Sequence, residues 1–306
     1  MLDNILPPKY VQALQNVNES LISEIRLREG RPTQVWQTRR FYLAGYGLTS
    51  SLSDAIIAST KELNDIVFNA CQHSVYAHND ELSMGYLTLP NGTRLGIAGK
   101  VVVDKGNIKT IKDFSAINIR FAHEIKNFSL NSLPYLLNND NKISNVLVLG
   151  PPNSGKTTFI RDLCYQMSAR EIADNVLVVD ERNEISASVG GHATLNIGQN
   201  SDVYASCTKQ FGIINGIRTM SPNVIVLDEL ATLADIKALD YVVSSGVNII
   251  ATTHAADYQS LLKKPLFCDI LKTKLFERFV ILKRQNGLCK VDMITNSDGL
   301  CLYCGV

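Results

Sequence analysis

Five short, β-rich apolar runs mark the second half of the chain, at residues 145–149, 176–180, 224–228, 248–252 and 278–283. They lack the polar alternation of a strand with one wet face, and the stretches between them are long enough for helices. Such alternation predicts an α/β fold: a mostly parallel sheet buried by helices on both sides. The first half reads differently. Residues 86–89 and 93–103 alternate with a period of two around Pro90, Asn91 and Gly92, and an Asn-Gly pair tolerates the positive φ angles of a tight hairpin. A further strand is expected at 117–121, after a turn at 104–107. Ser59 and Glu62 have the spacing of a capping box, which predicts a helix running through Ile66, Val67 and Ala70. Residues 131–145 are polar and Asn-rich, so the boundary is expected there. The reading is an N-terminal α+β domain over 1–138 and an α/β domain over 139–306.

Composition adds mainly exclusions. A chain of 306 residues exceeds what one core usually serves. Thirty basic residues against 29 acidic ones give a formal charge of +1, so no nucleic-acid partner and no anionic membrane surface is expected from bulk charge. No apolar stretch reaches membrane-spanning length, and the N-terminus lacks the basic start and apolar run of a secretory signal, so a cytoplasmic protein is expected. Seven cysteines, an odd number, fit free thiols in a reducing compartment. Cys301 and Cys304 form a CxxC with Cys289 upstream; an ordinary thiol pair is expected before a metal clip, which would need a fourth ligand.

The chemistry gathers at the ends of the apolar runs. Residues 150–157 match GxxxxGK[ST] between an apolar strand and a helix-compatible run. A glycine-bearing turn opening a helix offers a polyphosphate many backbone N–H donors along with the favourable end of the helix dipole. Gly150, Pro151, Pro152, Asn153, Ser154, Gly155, Lys156, Thr157 and Thr158 are therefore the expected ATP-binding residues. Lys156 is expected on the β and γ phosphates and the Thr157 hydroxyl on Mg²⁺. The run 224–227 ends in Asp228 and Glu229. Asp228 is expected to hold the water shell of Mg²⁺ and Glu229 to orient or deprotonate the attacking water. Asp180 and Glu181 close another run directly after the loop's helix and are expected near the γ-phosphate, Asp180 on the metal and Glu181 in catalysis. Thr252, Thr253 and His254 end a fourth run, where a nucleotide-state sensor belongs. Residues 182–205, rich in glycine and polar side chains, read as a long working loop.

A phosphate loop, an acidic box, an acidic strand end and a histidine box, in that order, resemble the secretion and pilus-retraction ATPases. Glu229 occupies the position of their catalytic glutamate. Asp228 stands where they often have glycine. Four stretches of the first half, at 24–32, 74–77, 85–99 and 115–120, look like the stage III sporulation AA family, and that resemblance covers essentially the whole chain. It implies a RecA-like core and an ATP-hydrolysing motor of endospore formation, acting in the mother cell with a membrane-embedded channel that leads to the forespore. It implies a homo-hexameric ring and indirect membrane association through partner proteins. In the secretion ATPases, arginines on N-terminal-domain strands reach the nucleotide's phosphates. Arg94 and Arg120, each projecting from the less apolar face of an alternating strand, are the matching candidates here, and Arg218 is a third. Two other readings stand beside the motor. A RecA-like nucleic-acid translocase would want a basic, aromatic surface, where the sequence offers only pairs such as Lys263-Lys264 and Lys283-Arg284. A nucleotide-gated scaffold would bind ATP with little hydrolysis, which an intact Glu229 argues against. No NKxD element suggests GTP, and no arginine-rich lid suggests a small-molecule kinase.

Overall fold

The computed structural model describes residues 2–37, 39–89, 92–104, 106–121, 125–172, 174–285 and 288–305. Contacts divide the chain into two units, Met1–His123 and Glu124–Val306.

In the first unit, strands β1 (Glu24–Arg28), β2 (Gln34–Trp36), β3 (Arg40–Ala44), β4 (Gly47–Thr49), β5 (Tyr86–Thr88), β6 (Arg94–Asp104) and β7 (Asn107–Arg120) form one sheet in the order β4-β3-β2-β1-β7-β6-β5. All its pairings are antiparallel. Alternation sends Ile25, Leu27, Leu95, Ile97, Ile117 and Ile119 to one buried face, where Tyr10 of helix α1 (Pro8–Leu14) and Leu63, Ile66 and Val67 of helix α2 (Thr60–Ala70) join them. The expected capping box opens α2, with Ser59 and Glu62 each satisfying the other's backbone N–H. The β5–β6 hairpin forms as read, with Leu89 N–H donating to Thr93 O and Gly92 at φ +77°; Pro90 and Asn91 lie outside the described residues. β7 is much longer than the strand expected at 117–121. It starts at Asn107 and pairs back onto β6, so 104–107 is a hairpin connection and not a gap before a separate strand; Lys105 is outside the described residues.

The second unit carries β8 (Val146–Leu149), β9 (Val176–Asp180), β10 (Ser201–Ala205), β11 (Val224–Glu229), β12 (Asn248–Thr253), β13 (Arg278–Gln285), β14 (Leu288–Asn296) and β15 (Cys301–Cys304), in the order β10-β9-β11-β12-β8-β13-β14-β15. The first six in that order pair in parallel, while β14 and β15 are added antiparallel. Val146, Val148, Val224 and Val226 pack on one face against Phe159, Ile160 and Leu163 of helix α3 (Lys156–Ser168). Leu147, Leu149, Ile225 and Leu227 pack on the other against Ile213 of helix α4 (Lys209–Met220) and Leu239 and Val242 of helix α5 (Leu233–Ser245). Both faces being dry explains why these strands read as unbroken apolar runs. α4 lies close on β9 because two of its residues lack side chains: a Cβ on Gly216 would come within 2.0 Å of Leu177 Cδ2, and one on Gly212 within 2.4 Å of Val179 Cγ1.

The contact boundary falls upstream of the 138/139 division read from the sequence. Asp162 on α3 accepts from Asn127 N–H (2.9 Å), Ser129 N–H (2.8 Å) and Ser129 Oγ (2.6 Å), which fastens this connecting segment to the second unit. The presumed loop at 182–205 is also more ordered than its composition suggests. Its last five residues are the edge strand β10, and Ile185, Ala187, Leu195 and Ile197 are buried. Its exposed tip is a two-glycine turn, in which Val189 and His192 exchange both backbone hydrogen bonds around Gly190 and Gly191 at φ +58° and +83°.

Candidate active site

β8 sits between β12 and β13, so the loop leaving its C-terminal end opens beside the ends of β12 and then β11. Such an edge of a parallel sheet is where ligands of open α/β folds bind. Two glycines shape the loop. A Cβ on Gly150 would lie 2.2 Å from Ser154 Oγ and 3.0 Å from Leu282 O, and Gly155, at φ +91°, caps α3 without a side-chain acceptor. The N–H groups of the first helical turn, including those of Lys156, Thr157 and Thr158, are aimed at the loop's mouth, as helix geometry requires. Ser154 Oγ is buried with no hydrogen-bond partner among the described residues. Pro151, Pro152 and Asn153 are exposed on the outer side of the loop. This is a cradle of unsatisfied donors around a space that only glycine leaves open, and its donor set fits a polyphosphate. Thr158 also lines a hollow beside α3 with Ile125, Lys126, Tyr165 and Asn196.

The buried Lys156 Nζ donates to Gly150 O (3.0 Å), Pro151 O (3.0 Å) and His254 Nδ1 (2.9 Å). Burial lowers its pKa, with Glu229 and Asp228 acting in the opposite sense. His254 Nε2 lies 3.3 Å from Glu229 Oε1, and Glu229 Oε2 lies 3.5 Å from the Arg182 guanidinium. An Nε2–H tautomer satisfies both sides of the ring, accepting from Lys156 and donating to Glu229. Four side chains from four segments thus form one continuous polar chain. The ends of β11 and β12 are tied together as well, through Leu230 N–H to Thr252 O (2.8 Å) and Thr253 Oγ1 to Leu230 O (3.1 Å). A register shift between Val226 and Glu229 accompanies the end of β11. Lys264 Nζ donates to the His254 carbonyl and anchors that residue's backbone.

Asp228 is buried, and its pKa is raised from the ordinary 3.8 to about 6, first by burial and then by the charges of Glu184 and Asp180. A carboxyl at this strand end, near enough to Lys156 for its charge to raise that residue's pKa, fits a cation, since magnesium takes few protein ligands and keeps water and phosphate oxygens for the rest. The raised pKa also gives a stability test. Between about pH 4 and about pH 6 the folded chain holds a proton that the unfolded chain has released, so stability falls as pH rises through that window and stays lower above it. Asp228→Asn is therefore expected to be more stable than wild type by about 2–3 kcal/mol at pH 7.5 without Mg²⁺. Thermal melts from pH 4 to 8 check this. The gap should close toward acid, and a gap independent of pH would show that Asp228 does not carry the proton.

Asp180 is a correction. Although it ends a strand, as a metal ligand would, its carboxylate accepts from Glu184 N–H (2.8 Å), Ile185 N–H (3.0 Å), Ser186 N–H (2.8 Å) and Ser186 Oγ (2.7 Å). Fully buried, with Oδ2 accepting three hydrogen bonds and Oδ1 one, it is engaged by that turn and holds the 183–188 segment. Its strand is not next to the loop: β11 and β12 lie between β9 and β8. Glu181 pairs with the buried Lys209. Among the described residues no group of three or more His, Cys, Asp or Glu could hold a metal ion. For the three C-terminal cysteines the reason is spacing: Cys289 is four residues before Met293, the partner of Cys304, or about 13 Å along β14.

Comparison with known proteins decides the family. The family described as Sporulation stage III, protein AA matches residues 4–302. Stage III sporulation protein AA of Bacillus subtilis (strain 168) is 31% identical over 303 residues, covering 96% of this chain and 94% of that protein. The chain belongs to the sporulation stage III protein AA family. Its fold is that of the RecA-like secretion ATPases. The ATPase DotB of Yersinia pseudotuberculosis superposes with a TM-score of 0.58 at 16% identity, covering 91% of this chain and 76% of that one. The pilus retraction motor PilT, solved with bound ADP, superposes with a TM-score of 0.56 at 14% identity, covering 90% and 78%. Among the described residues of this family member, no helix is long and apolar enough to cross a membrane.

The three candidate arginines fall into two groups. Arg94 and Arg120 are direct cross-strand partners on β6 and β7, with Glu24 of β1 on the far side of Arg120. Both turn away from the buried Leu95 and Ile119, as the alternation predicts, and the Arg94 guanidinium stacks 3.8 Å from the Tyr86 ring centroid. Arg218 stands apart from the other two. It is exposed near the C-terminus of α4, just before β11 begins, whereas Asp228 and Glu229 end that strand, about 15–20 Å away. A residue shortly upstream of a parallel strand emerges at the edge opposite the site, so Arg218 does not join this chain's own cluster. Sequence reasoning missed Lys209 and Arg182. Lys209 bridges Glu181 and Asp235, its Nζ lying 3.7 Å from Asp235 Oδ1. The available signal was electrostatic: it is the first residue of α4, where a cation opposes the helix dipole and calls for an acidic partner.

Proposed function

We propose that this chain hydrolyses ATP with Mg²⁺ and serves as the motor of a secretion-type or channel-assembly complex in endospore formation. The observation that carries the chemistry is the continuous contact from Lys156 through His254 to Glu229 at adjacent strand ends, beside a loop of unsatisfied donors. In this reading the N–H groups of residues 155–158 and Lys156 hold the phosphates. Thr157 and Asp228 hold the metal, which when bound neutralises phosphate charge. Glu229 accepts a proton from the attacking water, and His254 keeps that carboxylate turned toward the loop. Thr158 and its hollow are assigned to the nucleoside. Family membership supports a role in sporulation, and the secretion-ATPase fold supports a ring of like chains, proposed here as a hexamer working at a membrane complex through partner proteins from the cytoplasm.

Phosphate release by the purified chain tests the enzyme, and its dependence on protein concentration tests the ring. Activity should rise more than linearly with protein concentration as rings assemble. Arg94 and Arg120 are proposed to place their paired guanidiniums against charge developing on the phosphates. Each Arg→Ala change is then expected to lower kcat by about 100-fold, less than a lone arginine finger supplies because two share the task, while ATP affinity changes little. Unchanged turnover in both variants, or constant specific activity in a chain that stays monomeric with ATP, would remove this part of the reading and leave the ATP site standing.

A further inference from the structure

β15 pairs with β14 with one residue to spare. Cys304 faces Met293 and Tyr303 faces Ile294, but Thr295 faces Cys301, so Leu302 is bulged out. In a regular strand, residues three apart point to opposite sides. The bulge resets that parity. Met293 and Thr295 are two apart on β14 and share a face, so their partners Cys304 and Cys301 share one too. The span between the two cysteines shrinks to two residue rises, about 7 Å, at the upper edge of the Cα separation of about 4.4–6.8 Å that disulfides use. Their sulfurs are 2.6 Å apart, and both residues are exposed.

We propose that Cys301 and Cys304 form a redox-active dithiol, a modification site that closes reversibly by exchange with a low-molecular-weight disulfide. In the first step the Cys304 thiolate attacks one sulfur of R–S–S–R, forming Cys304–S–S–R and releasing R–S⁻. In the second, Cys301 gives up its proton and attacks the Cys304 sulfur, releasing a second R–S⁻ and closing the Cys301–Cys304 bond. The protein loses two protons and two electrons, and R–S–S–R is reduced to two thiols. The hydrogen bond to Cys304 raises the pKa of Cys301, which disfavours it as the first attacker. The remaining cysteines do not compete. Burial pushes the Cys71 thiol up to about 11 and the Cys164 thiol up to about 12, and it raises Cys207 and Cys289 as well. Cys268 is exposed, but the sulfur contact found at Cys301 and Cys304 has no counterpart there.

The test is a titration of the full chain with oxidised and reduced glutathione at rising ratio, followed by alkylation and peptide mapping by mass. The expected result is loss of two hydrogens within the peptide spanning Cys301 and Cys304, at a ratio where Cys268 is still a free thiol, and recovery on adding reduced glutathione. Cys301→Ser should trap a glutathione adduct on Cys304, and Cys268→Ser should leave the transition unmoved. The proposal is overturned if the pair stays reduced at ratios where Cys268 already carries an adduct, or if the disulfide joins other cysteines. Failure of Cys304 to take up glutathione in Cys301→Ser would also overturn it.

Discussion

Glu229→Gln is expected to bind ATP about as well as wild type while its kcat falls by about 100- to 10,000-fold, the range that a positioned general base contributes. The amide keeps the shape of the side chain and can still accept from His254 Nε2–H, now 3.3 Å away, but it cannot take a proton from water. Because binding and chemistry separate, two measurements are needed: equilibrium binding of a labelled ATP, and phosphate release in a single turnover. A variant that holds ATP but fails to release phosphate supports the proposed base. Turnover like that of wild type would leave Glu229 as a structural acid and overturn its assignment as the base.

Lys156→Ala is expected to fail one step earlier. A hydrogen bond to a charged group is worth about 1.5–3 kcal/mol. Losing the one it gives to phosphate weakens ATP binding by about 10- to 100-fold. Lys156 also braces the loop through Gly150 O and Pro151 O, so loop collapse could mimic this loss. Lys156→Arg separates the two effects, keeping the charge and losing the fit of a compact ammonium. Calorimetric titration should find ATP binding weakened by that factor in the alanine variant, with melting temperatures within a few degrees. Retained affinity would place the phosphates elsewhere.

The parts of the site legible in the sequence were those whose signals are local. A dry strand followed by a polar turn announces itself, which is why the 150–158 loop, Asp228, Glu229 and His254 could be assigned to strand ends and do meet there. Order across the sheet was not legible, because adjacency along the chain does not reveal adjacency in space. Asp180 follows the loop's helix directly, yet two strands intervene between β9 and β8. Arg218 precedes Glu229 by only eleven residues, yet a whole strand length separates them. β10 was hidden for another reason: half-exposed and at the sheet's edge, it lacks the apolar run of its neighbours. In the first unit, the alternation of β6 and β7 gave the faces of Arg94 and Arg120 correctly, but their side-by-side pairing depended on a register that no single strand encodes.

The Lys156 ammonium has three N–H vectors, and Gly150, Pro151 and His254 take one each. Its coordination is full. A phosphate oxygen can bond to it only by substitution, and the two carbonyls belong to the loop that must keep its shape around the same phosphate. The exchangeable partner is His254. In the proposed ATPase, nucleotide entry is then a trade in which the histidine gives up its proton donor as the phosphate acquires one, and the ring, still joined to Glu229 through Nε2, becomes free to reorient. Occupancy of the loop and release of the base would be two ends of a single exchange, and ATP affinity would carry the energy of the contact it breaks.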